Sequence, residues 1–434
     1  MNTQPLPGFR DFYPAELAFR NYIFEAWRRV AGRYGFEEFD GPPLEPLELY
    51  TAKSGDEIVG QLYNFTDKGG REVSLRPELT PTVARMVAAR AGGMKKPIRW
   101  FSIGQMYRYE RQQKGRLKEF YQLNCDLIAE PGPLADAEMI ALAIDMMRDF
   151  GLGPDAVRVR LSDRRVLQAL LSGAGVTAEQ LPAAYSIIDK LERMKPEQVA
   201  ELRAGNDGRF GAQVAAGIID VASLRGWPAV GAALTRIPEG AAAGASLRAT
   251  LDALQAMGLG DYLDVDLSIV RGLAYYTGTV FELFDAGRTL RAIAGGGRYD
   301  GLLQQLGGVD LPAVGFAVGD VVLGELLKDR GLAPVPGAVI DAFVAGVTDA
   351  DLPYVLHVVH DLREAGIRVE YALRADAVGK QLKLADSRQA AFAVVIGPDD
   401  RARGEVQLKD LRAKTQRAVA AAALRAELAA ALAS

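Results

Sequence analysis

The sequence predicts two folding units of different class. A long N-terminal unit mixes amphipathic helices with hairpin-forming strands. A C-terminal unit of about 100 residues alternates strand and helix in the α/β manner. Three observations carry this reading. Residues 120–127 alternate strictly, with Phe120, Gln122, Asn124 and Asp126 on one face and Tyr121, Leu123, Cys125 and Leu127 on the other. Gly331-Leu332-Ala333-Pro334-Val335-Pro336-Gly337 reads as a linker, 331–337. Beyond it, strand-like runs at 342–347, 367–373 and 391–396 are separated by amphipathic stretches at 352–364 and 378–385.

The elements follow in chain order. Residues 15–34 form a helix, because Phe19, Ile23, Trp27, Val30 and Tyr34 recur at helical spacing. Pro14 suits its first turn and Gly35 ends it. Gly41-Pro42-Pro43 and Pro46 break the chain before strands at 62–66 and 72–75, joined at Gly69-Gly70. A helix covers 81–91. Residues 99–128 are two strands around a charged loop, and 135–150 is a helix. From 165 to 245 the pattern is helical and Ala-rich, interrupted at 205–211. Strand-like sequence returns at 263–284, ahead of Gly295-Gly296-Gly297, and 315–327 is a strand running into a helix. The Ala-rich end, 418–432, is a helix by propensity.

Composition excludes several function classes. Among 434 residues, 51 Lys and Arg face 55 Asp and Glu, for a net charge of −4. Contact with nucleic acid must therefore use local basic patches. The single cysteine, Cys125, excludes an intrachain disulfide and a Cys-rich zinc site, and fits a reducing, cytoplasmic location. The two histidines, His357 and His360, exclude any His-dependent chemistry in the first 356 residues. Their i, i+3 spacing on a helix reads as ordinary helix residues rather than a metal pair. The N-terminus lacks the pattern of a signal peptide, and no apolar run suits a membrane span.

The chemistry concentrates at one turn. Arg108, Glu110, Arg111, Lys114, Arg116 and Lys118 place five cations and one anion around a hairpin tip, a composition suited to polyanionic phosphate. A solvated loop carries the same charges, and the Gln122, Asn124, Asp126 row reads equally as a polar pocket or a solvated face. No G-x-x-x-x-G-K-[ST] occurs. Gly295-Gly296-Gly297 is not G-x-G-x-x-G, since Asp300 takes the last position. A nucleotide is bound here without those loops, if at all.

Five ordered segments resemble one family. Arg108-Tyr109-Glu110-Arg111, Lys114-Gly115-Arg116 and Phe120-Tyr121-Gln122-Leu123 resemble motif 2 of class II aminoacyl-tRNA synthetases in its histidyl form. Gly8-Phe9-Arg10-Asp11-Phe12-Tyr13-Pro14 and Leu75-Arg76-Pro77-Glu78-Leu79-Thr80 are similar to earlier segments of that family. Val270-Arg271-Gly272-Leu273-Ala274-Tyr275-Tyr276 and Gly295-Gly296-Gly297-Arg298-Tyr299-Asp300-Gly301-Leu302 resemble two segments special to the histidyl type. The resemblance implies an α+β class II core, an antiparallel sheet flanked by helices, over 1–330 with a helical insertion at about 165–245. It implies an α/β anticodon-binding domain over 338–434. The implied reaction is ATP-dependent activation of L-histidine to the adenylate, then transfer to the 3′ end of tRNA(His). The implied partners are ATP with Mg²⁺, L-histidine, tRNA(His) and a second copy of the chain. Residues 15–50 resemble motif 1, the dimer interface. No membrane is implied.

The same resemblance assigns roles. Arg108 would hold the α-phosphate and the reacting carboxylate, Arg116 the outer phosphates, and Glu110 the adenine amino group or a metal. Arg271 would sit across the α-phosphate beside the histidine. Glu78, Thr80 and Gln122 would take the amino and carboxylate ends of the amino acid. Asp126 and Tyr276 would bind the imidazole nitrogens, with Tyr275 in the same pocket. Gln113 and Lys118 would touch the acceptor stem. No protein side chain is assigned to a metal. In motif 3, Val321 and Val322 stand where the family has glutamate and arginine. Arg291 and Arg298 are the candidates in sequence for the missing cation. Asp126 stands where bacterial members often have glutamate, and Ala274 where many have aspartate. The motif 3 departure keeps a second reading open: a paralogue that binds histidine as the regulatory subunit of ATP phosphoribosyltransferase and charges no tRNA.

Overall fold

The computed structural model describes residues 3–54, 56–109, 115–206, 208–270, 275–334, 339–374 and 376–433. The chain divides into two compact units, 1–334 and 335–434. The first is built on an eight-stranded sheet. Its order is Glu37–Glu38, Ile98–Tyr107, Glu119–Ile128, Ala313–Gly319, Ala294–Arg298, Thr279–Asp285, Val157–Asp163 and Leu263–Val265. The six central strands pair antiparallel. The two short edge strands pair parallel, so the sheet is mixed.

Helices cover one face. Helix Pro14–Arg33 buries Ile23, Trp27 and Val30, the stripe its periodicity marks. Helix Pro133–Arg148 is apolar around most of its circumference and is correspondingly buried, with Met139, Ile140, Ile144 and Met147 inside. The insertion comprises helices Arg164–Gly173, Leu181–Leu191, Pro196–Arg203, Ala212–Ala222, Trp227–Leu234 and Gly240–Ala256, so helix continues past 245. Its apolar faces join the same core. Asp163 caps the first of these helices by accepting from the Arg165 backbone N–H at 2.8 Å.

Three elements differ from expectation. Strand Val157–Asp163 is missed by helix-oriented reading, because charged Arg158 and Arg160 alternate with its buried Val157, Val159 and Leu161. Ala294–Arg298 is a buried central strand despite three consecutive glycines, a composition that ordinarily weakens a strand. Here close packing requires them. A Cβ at Gly296 would lie 2.3 Å from the Gly315 carbonyl, and one at Gly297 would lie 2.8 Å from the Tyr276 ring.

The third difference is at the C-terminus. The second unit orders its strands Val369–Tyr371, Ala342–Gly346, Phe392–Ile396, Glu405–Asp410 and Thr415–Ala420. The first three are parallel, with helices Leu352–Glu364 and Val378–Ser387 between them. The last two form an antiparallel hairpin. Residues 418–420 are therefore strand, and the final helix is Leu424–Ala433. The Asp410 carboxylate accepts from the Arg412 and Ala413 N–H groups at 2.8 Å and reverses the chain, which lets ladder pairing override alanine's helix propensity. Among the described residues no helix is long and apolar enough to cross a membrane.

Candidate active site

The long hairpin Ile98–Tyr107 and Glu119–Ile128 carries the site. Arg108 follows its first strand. Its backbone N–H donates to the Lys118 carbonyl at 2.9 Å. Its Nε donates to the Pro77 carbonyl at 3.0 Å, and the guanidinium lies 5.2 Å from the Phe120 ring centre. The Pro77 segment is itself fixed. Buried Arg76 donates to the carbonyls of Gly41 (2.8 Å) and Gln105 (3.0 Å) and pairs with Asp40 (3.1 Å). A half-buried arginine held at one nitrogen presents its remaining donors in a defined direction.

The N-terminal segment ties the hairpin to the strand–helix junction at 319–320. Arg10 pairs with Asp320 at 2.8 Å and with Glu119 at 3.5 Å, and Asp320 also accepts from the Tyr121 N–H at 2.9 Å. Gly8, with φ of +87°, lets its carbonyl accept from the Lys118 N–H at 3.1 Å; a Cβ there would run into Lys118 at 2.8 Å. The Lys118 ammonium lies 4.2 Å from the Tyr109 ring centre. Glu110, Gln113 and Arg271 lie outside the described residues.

The Gln122, Asn124, Asp126 row is not a solvated face. Asn124 is 4% exposed and Asp126 is 1% exposed. Their neighbours in register are small but for one. Gly319, Ala317 and Gly315 stand opposite on one side, and Gly104 and Ser102 on the other, with Trp100 beside Asp126 closing the end. This leaves a polar trough over the sheet. Four buried oxygens in it have no hydrogen-bond partner among the described residues: Ser102 Oγ, Gln122 Oε1, Asn124 Oδ1 and Asp126 Oδ2. Each such orphan costs about 1–3 kcal/mol. A ligand with several N–H donors relieves that cost.

At the end of the trough the Tyr299 hydroxyl donates to Asp126 Oδ1. This leaves Oδ2 as the open acceptor. A Cβ on Gly315 would lie 2.3 Å from Asp126 Oδ1, so only glycine admits the pair. Tyr275 packs 5.0 Å from Tyr276 and edge-on to Tyr299 at 5.9 Å, and its hydroxyl donates to Glu78 at 3.4 Å. Thr80 is buried at the start of helix Thr80–Arg90. Glu78, Tyr275, Tyr276, Tyr299 and Asp126 therefore form one connected cluster. Sequence reading assigned no role to Tyr299 or Asn124. The alternation that put Asn124 beside Asp126, and the glycine run before Tyr299, were the available signals.

Burial pushes the Asp126 carboxyl up to about 7, with the charge of Glu78 adding and the Tyr299 hydrogen bond opposing. An acid raised in the native state stays protonated where the unfolded carboxyl, near 3.9, has already ionised. Stability therefore falls as pH rises from about 4 to 7. Asp126→Asn removes this dependence. In thermal unfolding its stability relative to the parent should rise between pH 5 and pH 8; a constant difference would contradict the assignment.

A cavity of about 630 Å³ continues from the trough, lined by Arg108, Arg116, Gln122, Arg291 and Val322. Val322 is 7% exposed and supplies only apolar contact. Of the two candidate substitutes for the motif 3 cation, Arg298 is excluded. It is 2% exposed and bound to Asp136 at 2.9 Å, Asp300 at 3.1 Å and the Glu130 and Gly132 carbonyls. Arg291 lines the cavity beside Val322, with Gly115 between them. The helical insertion also forms a wall, through Ile188, Asp189 and Arg193.

A family model described as histidyl-tRNA synthetase matches residues 8–320, and an anticodon binding domain model matches 341–431. The chain belongs to the histidyl-tRNA synthetase family. It is 47% identical over 415 residues to the histidine–tRNA ligase of Opitutus terrae, covering 95% of each chain. It is 39% identical over 411 residues to that of Haloarcula marismortui, covering 93% of this chain and 92% of the relative. The crystal structure of a histidyl-tRNA synthetase from a Nostoc species superposes with a TM-score of 0.82 at 27% identity, over 99% of both chains. A Bacillus halodurans structure, described as an ATP phosphoribosyltransferase regulatory subunit/histidyl-tRNA synthetase, shares the fold. Its TM-score is 0.74 at 23% identity, over 92% of this chain and 98% of the other. Within the histidyl-tRNA synthetase family, this chain's site combines a trough of orphaned acceptors with an arginine-lined cavity.

Proposed function

We propose that the protein is a histidine–tRNA ligase. The carboxylate oxygen of L-histidine attacks the α-phosphorus of ATP and pyrophosphate leaves, which yields histidyl-adenylate. A hydroxyl at the 3′ end of tRNA(His) then attacks the adenylate carbonyl and AMP leaves. The observation that carries this reading is the row of unpartnered buried acceptors ending at Asp126 Oδ2, open beside a cavity walled by Arg108 and Arg116. An ammonium group and an imidazole N–H are the donors such a row needs. Positioned cations are what in-line displacement at phosphorus needs.

In this reading Gln122, Glu78 and Thr80 take the amino and carboxylate ends. Asp126, oriented by Tyr299, takes an imidazole N–H, with Tyr275 and Tyr276 around the ring. Arg108 and Arg271 stabilise charge at the α-phosphate, Arg116 reaches the outer phosphates, and Glu110 orients the nucleotide. Mg²⁺ enters with ATP as part of the substrate. Gln113 and Lys118 meet the acceptor stem, residues 338–434 grip the anticodon end, and residues 15–50 build a homodimer. A pocket that hydrogen-bonds its substrate on both sides discriminates by about 10⁴–10⁵ against analogues lacking those groups, so editing is unnecessary.

The test is histidine-dependent exchange of pyrophosphate into ATP, followed by charging of tRNA(His). A histidine-binding regulatory subunit would bind histidine and show neither activity. Val322→Arg probes the motif 3 position. With Arg291 serving there, the added cation should leave the KM for ATP unchanged or raise it. A several-fold fall would show that the parent site lacks a cation.

A further inference from the structure

The strongest cluster outside the roles above joins the insertion to the sheet. Arg160, on strand Val157–Asp163, is 3% exposed. Its Nε donates to Asp266 at 2.7 Å and its Nη2 to Ser268 Oγ at 2.9 Å. Both Nη groups also donate to the two carboxylate oxygens of Glu192, that from Nη1 at 3.1 Å. Glu192 closes the insertion helix Leu181–Leu191. Its oxygen lies 3.3 Å from Ser268 Oγ, and Arg160 holds its carboxyl below the usual range. Asp266 in turn accepts from the Ser268 N–H at 3.0 Å and pairs with Arg225 at 3.0 Å. Arg160, Glu192 and Ser268 line the same cavity as Arg108.

We propose that Glu192 is a positioning residue for adenylate formation: by clasping Arg160 and Ser268 it fixes the insertion and the loop 266–270 as one wall of the cleft. The proposal rests on the synthetase reading. Asp266 pairs with both Arg160 and Arg225, and Glu192 is the second carboxylate of the cluster, reaching it from the insertion. What Glu192 adds is geometry, a bidentate link from a separate helix. Ile269 and Val270 of this loop line the cavity, and Ser268 stands three residues before Arg271 in the sequence. Adenylate chemistry is sensitive to displacements of about 1 Å in the groups facing the reacting atoms. A clasp outside the reacting shell thus acts on kcat.

The experiment measures histidine-dependent pyrophosphate exchange with the full chain. Glu192→Ala should lower kcat on the order of tenfold. The KM for histidine and for ATP should stay within about twofold, and the melting temperature should fall by no more than a few degrees, since Arg160 keeps Asp266 and Ser268. Glu192→Gln, which keeps one acceptor oxygen for Arg160 and Ser268 but sets an amide NH2 against the other guanidinium nitrogen, should recover only part of the rate. In an Arg271→Ala background the loss from Glu192→Ala should shrink below about twofold, because the positioned group is gone. An unchanged kcat, or an equal loss in both backgrounds, overturns the proposal. So does a joint change of kcat and KM with a lowered melting temperature, which marks a merely structural residue. Exchange that Glu192→Ala leaves intact removes the clasp alone; a parent protein without exchange removes the synthetase reading and the clasp together.

Discussion

Arg108→Ala should lower histidine-dependent pyrophosphate exchange by about 10³-fold or more while the fold persists. The guanidinium is held by one hydrogen bond to Pro77 and by stacking over Phe120, and it lines the cavity. Its two Nη groups have no acceptor among the described residues, so they are preorganised for a ligand. In-line attack on phosphorus concentrates negative charge that a fixed cation stabilises without reorganisation. The alanine variant keeps the hairpin, because the ladder bond between the Arg108 N–H and the Lys118 carbonyl is backbone. Circular dichroism should match the parent. Exchange within tenfold of the parent would remove Arg108 from the reaction.

A chain ending at Pro334 should retain most exchange activity and lose about 10²–10³-fold in charging efficiency, chiefly through weaker tRNA affinity. The sequence points to a boundary at Gly331, but Leu332 packs on the first unit's core and its N–H donates to the Leu327 carbonyl at 2.8 Å. Ending at Pro334 therefore spares the helix Asp320–Asp329. Each unit has its own apolar core, and every residue proposed for adenylate chemistry is in the first. Binding at the anticodon raises the effective concentration of the acceptor end and does nothing for histidine and ATP. Exchange abolished by the truncation, or charging left intact, would contradict this division of labour.

The helices, the hairpin and the C-terminal α/β unit were legible because their signals are local. Periodicity in Phe19, Ile23, Trp27 and Val30 records which face of one helix is buried, whatever it packs on. The alternation through Gln122, Asn124 and Asp126 likewise put three polar side chains on one face. It could not say whether that face was wet, since the answer depends on other strands. Ala-rich 418–420 was misread for the same reason, its partner strand being outside the window that propensity sees.

The sequence by itself determined the family, the order of its motifs, the basic turn carrying Arg108 and Arg116, and the valines at 321 and 322. All are properties of contiguous residues. Only the tertiary structure decided which of these residues meet. Tyr299 orients Asp126 across 173 positions of chain, and Gly315 makes room for the pair. Arg298, adjacent to Tyr299 in sequence, turns inward to Asp136 and leaves the cavity to Arg291. Alternate residues of a strand face opposite sides of its sheet, and what each side holds is set by strand order and register. No pattern along the chain encodes that order, because the partners arrive from distant segments and meet only in the folded sheet.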